Sequence, residues 1–362
     1  MNLIYFIILI PILSPLIGLL IWKHKITGTE FALNVLAACL LTIGVYYATA
    51  YGQMADFQIL NGEVIAKEKD RVHCEHSYQT CTGSGKSRTC TTHYEHAYDY
   101  DWVVKSNVGN FKINRVNRQG TIEPPRWTQV KLHEPVALED YYVNYIKGSP
   151  SSIFNKKDMQ FAEKYADKIP KYPEVYDYHK ANRVFAVGFT LNDISAWNYE
   201  LSEMLKSVGP QKQANVSIIL TKGLPVEYAS AVNAKWLGGK KNDMTLIVGT
   251  SDGSKIDWVQ VLAYSKSTSI KTYLRDAIKE HEVVDRKFFM EAIRSHMVRH
   301  YDRKSMDDFS YLLGTIEISD TAFALIALFS LMSSLGISFA MTRVDISFVK
   351  KPYMNRHRRT WR

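Results

Sequence analysis

The chain has 362 residues and a formal net charge of +9. That excess invites a nucleic-acid reading, but much of it lies in a C-terminal tail and one short loop, and no nucleic-acid module signature is present. The informative feature is the distribution of apolar sequence: three long apolar segments at the two ends flank a mostly polar stretch, residues 52–320.

The segments are residues 3–22, 31–51 and 322–341. Each is about 20 residues, the length a helix needs to cross a hydrocarbon core of about 30 Å. A cleaved signal peptide competes for the first, but no Lys or Arg precedes the run and no small-x-small site follows it before Lys23. Pro11 and Pro15 interrupt it, and membrane helices tolerate proline. Glu30 and the Tyr46-Tyr47 pair crowd the ends of the second. Lys23 and Lys25 sit between the first two segments, and Arg343, Lys350, Lys351, Arg356, Arg358, Arg359 and Arg362 follow the third. Short basic loops and tails stay cytoplasmic. Three crossings then place residues 52–320 in the periplasm of a bacterium, with the tail (342–362) attracted to anionic lipid.

Cys39 falls inside the second segment. Cys74, Cys81 and Cys90 lie among His73, His76, His93 and His96. In an oxidising compartment a Cys81–Cys90 or Cys74–Cys90 bridge around the Gly83-Ser84-Gly85 tip is expected, leaving one cysteine over. The alternative is structural zinc, with a Cys74/His76 arm facing a Cys90/His93 arm. Either device staples a loop. Strand signals surround it. Residues 57–66 carry β-formers on either side of Asn61-Gly62, residues 98–104 alternate aromatic and acidic, and 111–116 is a third candidate. Asp99 and Asp101 read as solvated strand-face carboxylates in preference to metal ligands. Pro124-Pro125 predicts an extended connection over 120–130. Residues 52–150 thus read as a small, mostly β domain.

Residues 151–182 form a linker with a helix at 156–168. From 183 to 304 strands and helices alternate. A strand at 183–189 precedes a helix at 193–206, N-capped by Asp193, with Ile194, Trp197, Leu201, Met204 and Leu205 on one face. After the strand at 216–220, Pro225 opens a helix that runs to Trp236 and stops at Gly238-Gly239. Strands at 244–248 and 256–262 and helices at 269–279 and 285–301 complete the order. This predicts an α/β sandwich with the two continuous apolar strands at its centre. Residues 305–321 connect it to the last segment.

The apolar strand NVSIILT (215–221), the run GGKKNDMTLIVG (238–249) after Trp236 and the turn Ser251-Asp252-Gly253 carry a resemblance. Residues 193–303 resemble a TPM domain. The resemblance implies an α/β sandwich beside a membrane helix. It also implies one of two roles: an auxiliary or assembly factor, or a phosphatase using a divalent cation such as Ca or Mg. By position Asp243, Asp252 and Asp257 would hold that cation. The family's opening Asp-Gly is absent, which argues against catalysis. The stretches RVNRQGTIEPPRW (115–127) and YEHAYDYDW (94–102) are similar to membrane proteins of tailed bacteriophages, which implies a viral origin and a bacterial inner membrane.

His296 and His300 share a helix face, but no Glu follows His296, so a solvated face is the simpler reading. No nucleophile elbow, phosphate loop or dinucleotide fingerprint occurs. Ser333, Ser334, Gly336 and Ser338 give the third segment small residues for close helix packing, within the chain or between copies. The expectation is a non-enzymatic, membrane-anchored protein whose periplasmic body binds or assembles partners, above all another membrane protein. A metal-assisted phosphatase and a metal-sensing Cys/His loop are the rivals.

Overall fold

The computed structural model describes residues 4–22, 25–149, 159–236 and 240–343, and the chain divides into two compact units. The first contains α1 (Ile4–Ile21), α2 (Gly28–Met54) and, from the far end of the chain, α9 (Asp320–Arg343). Two helices, α2 and α9, are long and apolar enough to cross a membrane. At 27 and 24 residues they span about 40 and 36 Å. The 18 residues of α1 carry no charge, with Pro11 and Pro15 inside the helix. Glu30 belongs to the start of α2 and does not crowd it. Its backbone N–H donates to Thr27 Oγ1 (3.4 Å), while Thr27 N donates to Glu30 Oε2 (2.9 Å). This is a reciprocal capping box.

A polar seam joins these helices. Ser330, Ser334 and Ser338 of α9 recur every four residues and are buried. Asn34 Nδ2 donates to Ser338 Oγ (2.7 Å) and to the Ser334 carbonyl (3.1 Å), and Thr42 Oγ1 donates to Ser330 Oγ (2.8 Å). At Gly18 an added Cβ would lie 2.2 Å from Ser338 Oγ, so only glycine lets α1 approach α9 there. Large side chains such as Leu36, Leu40, Leu325, Leu328 and Met332 face outward. Apolar surface outside with small and polar residues inside is the pattern of helices packed in lipid. Within the chain, the small stripe that packs is Ser330–Ser334–Ser338. Gly336 is exposed.

The second unit begins with a four-stranded sheet in the order β5-β4-β1-β6, built from β1 (Ala55–Val72), β4 (Asp99–Ser106), β5 (Gly109–Ile113) and β6 (Pro135–Val143). Between β1 and β4 stands a separate hairpin of β2 (Ser77–Thr82) and β3 (Thr89–Tyr94). Asn61-Gly62 does not turn, and β1 runs straight through it. The buried Asn61 amide donates to the Ala214 carbonyl and Asn215 Oδ1, both at 3.1 Å, and a Cβ on Gly62 would meet Asn107 Oδ1 at 2.0 Å. Trp102 and Trp127 pack edge to face (4.8 Å) beside a core of Val64, Val104, Ile113, Val130 and Val136. The expectation of an extended Pro124-Pro125 segment is corrected. Pro124 caps and Pro125 opens a short helix, α3 (Pro125–Gln129). Proline's missing N–H costs nothing in a first turn.

After α4 (Met159–Lys164) and the two-residue strands β7 (Val175–Tyr176) and β8 (Lys180–Ala181) comes the second sheet. It comprises β9 (Val184–Val187), β10 (Asn215–Lys222), β11 (Asp243–Thr250) and β12 (Ile256–Ala263) in the order β12-β11-β10-β9. The first three are parallel, and β12 returns antiparallel to β11. Alternate side chains point to opposite faces of a strand. Val216, Ile218, Leu220, Met244, Leu246 and Val248 therefore enter one core with α5 (Ile194–Lys212), α7 (Ser269–Glu280) and α8 (Arg286–His300). Ile219 and Ile247 enter the other, with α6 (Glu227–Lys235) and Tyr165. Helices cover both faces, which is why β10 and β11 read as continuous apolar runs. Asp193 occupies the N-cap position of α5, but its carboxylate pairs with Arg286 and caps nothing. Asp285 is the working cap, accepting from Phe288 N at 2.8 Å.

Candidate functional site

Cys81 and Cys90 are directly opposed in the β2–β3 hairpin and form a disulfide. His93 points away on the hairpin surface, where Nε2 lies 2.8 Å from Thr80 Oγ1 and the ring stacks on Tyr78. Cys74 is the cysteine left over in this region, and it is fully buried. It sits where the end of β1 leaves the sheet, beside the start of β4. Its Sγ lies 3.8 Å from His96 Nδ1, and the thiol donates to the His76 carbonyl (3.4 Å). Of the histidines proposed as ligands, His96 brings a ring nitrogen to Cys74, His76 meets it only through its carbonyl while its Nδ1 lies 3.4 Å from Asp99 Oδ2, and His93 does not approach it.

Sequence reasoning undervalued one member of this cluster. Asp99 is wholly buried and Asp101 nearly so, which corrects the expectation of solvated strand-face carboxylates. The cause is Arg115, which follows β5 and folds back over β4. Its Nη1 donates to Asp99 Oδ2 (3.1 Å) and its Nη2 to Asp101 Oδ1 (2.6 Å). Lys112 Nζ adds a contact to Asp101 Oδ2 (2.5 Å). Burial opposes charge on Asp99. The Glu75 N–H, Cys74, His76 and Arg115 outweigh it and hold the carboxyl below the usual carboxylate range. Asp101 is likewise held low against its burial by Lys112 and Arg115. The aromatic–acidic alternation of 98–104 hid this, because an inward carboxylate on a strand is rare unless paired.

The three acidic residues suggested for a cation do not meet. Asp243 opens β11, whereas Asp252 lies in the turn beyond its far end. Eight strand residues separate the ends, which is about 23 Å at 3.3 Å per residue. The Asp252 carboxylate accepts from Ser254 N (2.8 Å) and Lys255 N (2.7 Å). These backbone bonds pull it down to about 2. It is an exposed turn cap. Asp257 accepts from Ser251 Oγ (3.4 Å) in the same turn.

Asp243 instead belongs to a buried polar network that no motif announced. Its carboxylate accepts from Asn215 Nδ2 (3.0 Å), Tyr172 OH (2.7 Å) and Lys240 N (3.1 Å). Burial raises its pKa, and those three donors only partly offset the effect. Asn215 leads to Asn61, and Asn61 accepts from Arg183, whose guanidinium burial pulls down to about 10. Lys240 Nζ pairs with Asp56, which also accepts from Asn144 Nδ2 (2.9 Å). Open α/β sheets bind ligands at the carboxyl ends of their parallel strands. This network closes the amino ends, so it ties the two sheets of the unit together.

His296 and His300 stack at 5.7 Å, and His300 also rests on Tyr273. Burial, then His300 and Arg299, lower the His296 pKa. Of the basic flanks, Lys25 is described and Arg343 lies over the Phe339 ring. Lys23, Lys350, Lys351, Arg356, Arg358, Arg359 and Arg362 lie outside the described residues, as does Gly238-Gly239. Comparison with protein-family models, with curated proteins and with solved structures found no match.

Proposed function

We propose that this is a membrane-anchored, non-enzymatic protein whose body binds or assembles another membrane protein. The supporting observation is that α2 and α9, from opposite ends of the sequence, are membrane-length helices joined by the Asn34–Ser338 seam. A body inserted between two such helices is tethered at both ends. The fit of α1 against Ser338 favours a third crossing, which puts residues 52–320 on the periplasmic side and the basic tail in the cytoplasm. The body carries large exposed tyrosines, including Tyr141, Tyr199 and Tyr311, a side chain enriched at protein interfaces. The β–α–β–α–β–β–α–α order of residues 184–300 supports a TPM-type sandwich, and with it the assembly-factor role.

A membrane-impermeant thiol reagent tests the topology. A cysteine placed at Ser254 should label from the periplasm and one at Tyr353 should not, with the reverse pattern overturning it. Turnover of a phosphate ester by the purified protein, abolished by Asp243→Ala or Asp252→Ala, would overturn the non-enzymatic reading.

A further inference from the structure

We propose that Cys74, His96 and Asp99 form a binding site for a zinc-class divalent cation. These are not the two arms suggested by cysteine spacing, since Cys90 is consumed in the disulfide. One donor atom from each of the three residues lies within 4.8 Å of the others. Zinc bonds of about 2.0–2.3 Å at tetrahedral angles set donor–donor edges of about 3.3–3.6 Å. The edges here are 3.8 Å from Cys74 Sγ to His96 Nδ1 and 3.2 Å from His96 Nδ1 to Asp99 Oδ1. These two edges bracket that range, and the third, from Cys74 Sγ to the Asp99 carboxylate, is at most 4.8 Å.

The second observation is the state of Asp99. Its Oδ2 is held by Arg115 Nη1 (3.1 Å), Glu75 N (3.3 Å) and His76 Nδ1 (3.4 Å). Its Oδ1 is buried, makes no well-aligned hydrogen bond among the described residues, and has His96 Nδ1 3.2 Å away. A buried carboxylate oxygen without a well-aligned donor is costly. It faces an imidazole nitrogen and a sulfur, the other two donors a zinc ion takes. One oxygen fixed by outer donors and the other left to the metal is the usual arrangement of a ligating carboxylate.

The charges also close. A dication, a Cys74 thiolate and the Asp99 carboxylate sum to zero, while Arg115 and Lys112 are matched by Asp101 and Glu75. On binding, the Cys74 thiol releases its proton to solvent, and His96 coordinates through Nδ1 with its remaining proton on Nε2. Half-exposed His76 and His96 leave a path for water to the fourth position. The mixture of thiolate, imidazole and carboxylate selects zinc over calcium or magnesium, which take oxygen ligands.

The test uses the full chain purified in detergent, without reductant, in a Cys39→Ser background. Cobalt(II) titration should give a thiolate-to-metal charge-transfer band saturating at about one equivalent, competed by zinc and not by magnesium. Cys74→Ser and Asp99→Asn should abolish the band, and His76→Ala should weaken binding about 10–100-fold. His93→Ala should leave it unchanged. In the Cys39→Ser protein itself, zinc should slow alkylation of Cys74, a readout that needs no change at the site. Absence of the band together with zinc-insensitive alkylation would overturn the site, as would a band that survives Cys74→Ser or is lost in His93→Ala.

Discussion

Two buried carboxylates in one folded unit have been pushed in opposite directions. Asp99, in the small antiparallel sheet, is held below its ordinary pKa. Asp243, at the head of the central parallel strand, is raised. Both are buried, so desolvation acts on both. The difference is what each faces. Arg115 delivers a guanidinium directly to Asp99. Asp243 meets an amide, a phenol and a backbone N–H, while the nearest ammonium, Lys240 Nζ, pairs with Asp56. Neutral donors satisfy lone pairs but do not repay the loss of hydration as a full opposite charge does. A buried aspartate in this chain therefore meets a guanidinium in one sheet and mainly neutral donors in the other.

Removing the cation should break this contrast most strongly. Arg115→Leu strands Asp99 in the interior and leaves Asp101 with Lys112 alone. It should cost about 3 kcal/mol in chemical denaturation, the lower end for breaking a buried ion pair. An effect under about 1 kcal/mol would mean that Asp99 holds its charge by other means. Next comes Arg183→Met, which leaves Asn61 Oδ1 without its guanidinium donor and should cost about 1–3 kcal/mol. Asp243→Asn should be smaller, about 1 kcal/mol at neutral pH. It loses one hydrogen bond but little favourable charge. A loss as large as that of Arg115→Leu would show that the Asp243 carboxylate matters to the fold as much as the Arg115 ion pairs do.

Acid should separate the two sheets more gently. Free aspartate titrates near pH 3.9. The depressed Asp99 and Asp101 stabilise the fold above that value, and the contribution disappears as pH falls through their lower folded values. Asp243, being raised, contributes relative stability below pH about 3.9 and loses it as pH climbs through its folded value. Below pH about 4, hydrogen exchange should therefore accelerate in β4 and β5 before β10 and β11. Simultaneous loss would erase the distinction. As the mildest test, denatured protein alkylated without reductant should carry two labels, at Cys39 and Cys74, and four after reduction.

The alternating elements of residues 184–300 were legible because periodicity and length are local properties. Trp197, Leu201 and Leu205 fall on one helix face by spacing alone. Val216–Leu220 and Met244–Val248 announce strands covered on both sides. The apolar helices α2 and α9 were equally plain, since length and an uncharged run are read directly from the sequence. The strand signals on either side of Asn61-Gly62 fall within β1, where Asn61 finds buried partners. Pro124-Pro125 misled because proline's exclusion from helices does not extend to the first turn.

The site was half legible. Cys74, His76 and His96 stand out by residue type, and a disulfide around a glycine tip follows from spacing. Which cysteine remained, and which carboxylate would join it, depended on the register of β1 against β4. Val72 pairs with Asp99 across the ladder, which carries Cys74 to the start of β4. Arg115 had to fold back from beyond β5 to make burial of Asp99 tolerable. Residue type and periodicity are properties of the chain and were readable from it. The pairing of a charge with its counter-charge is a property of distance, and only the packed sheets set that distance.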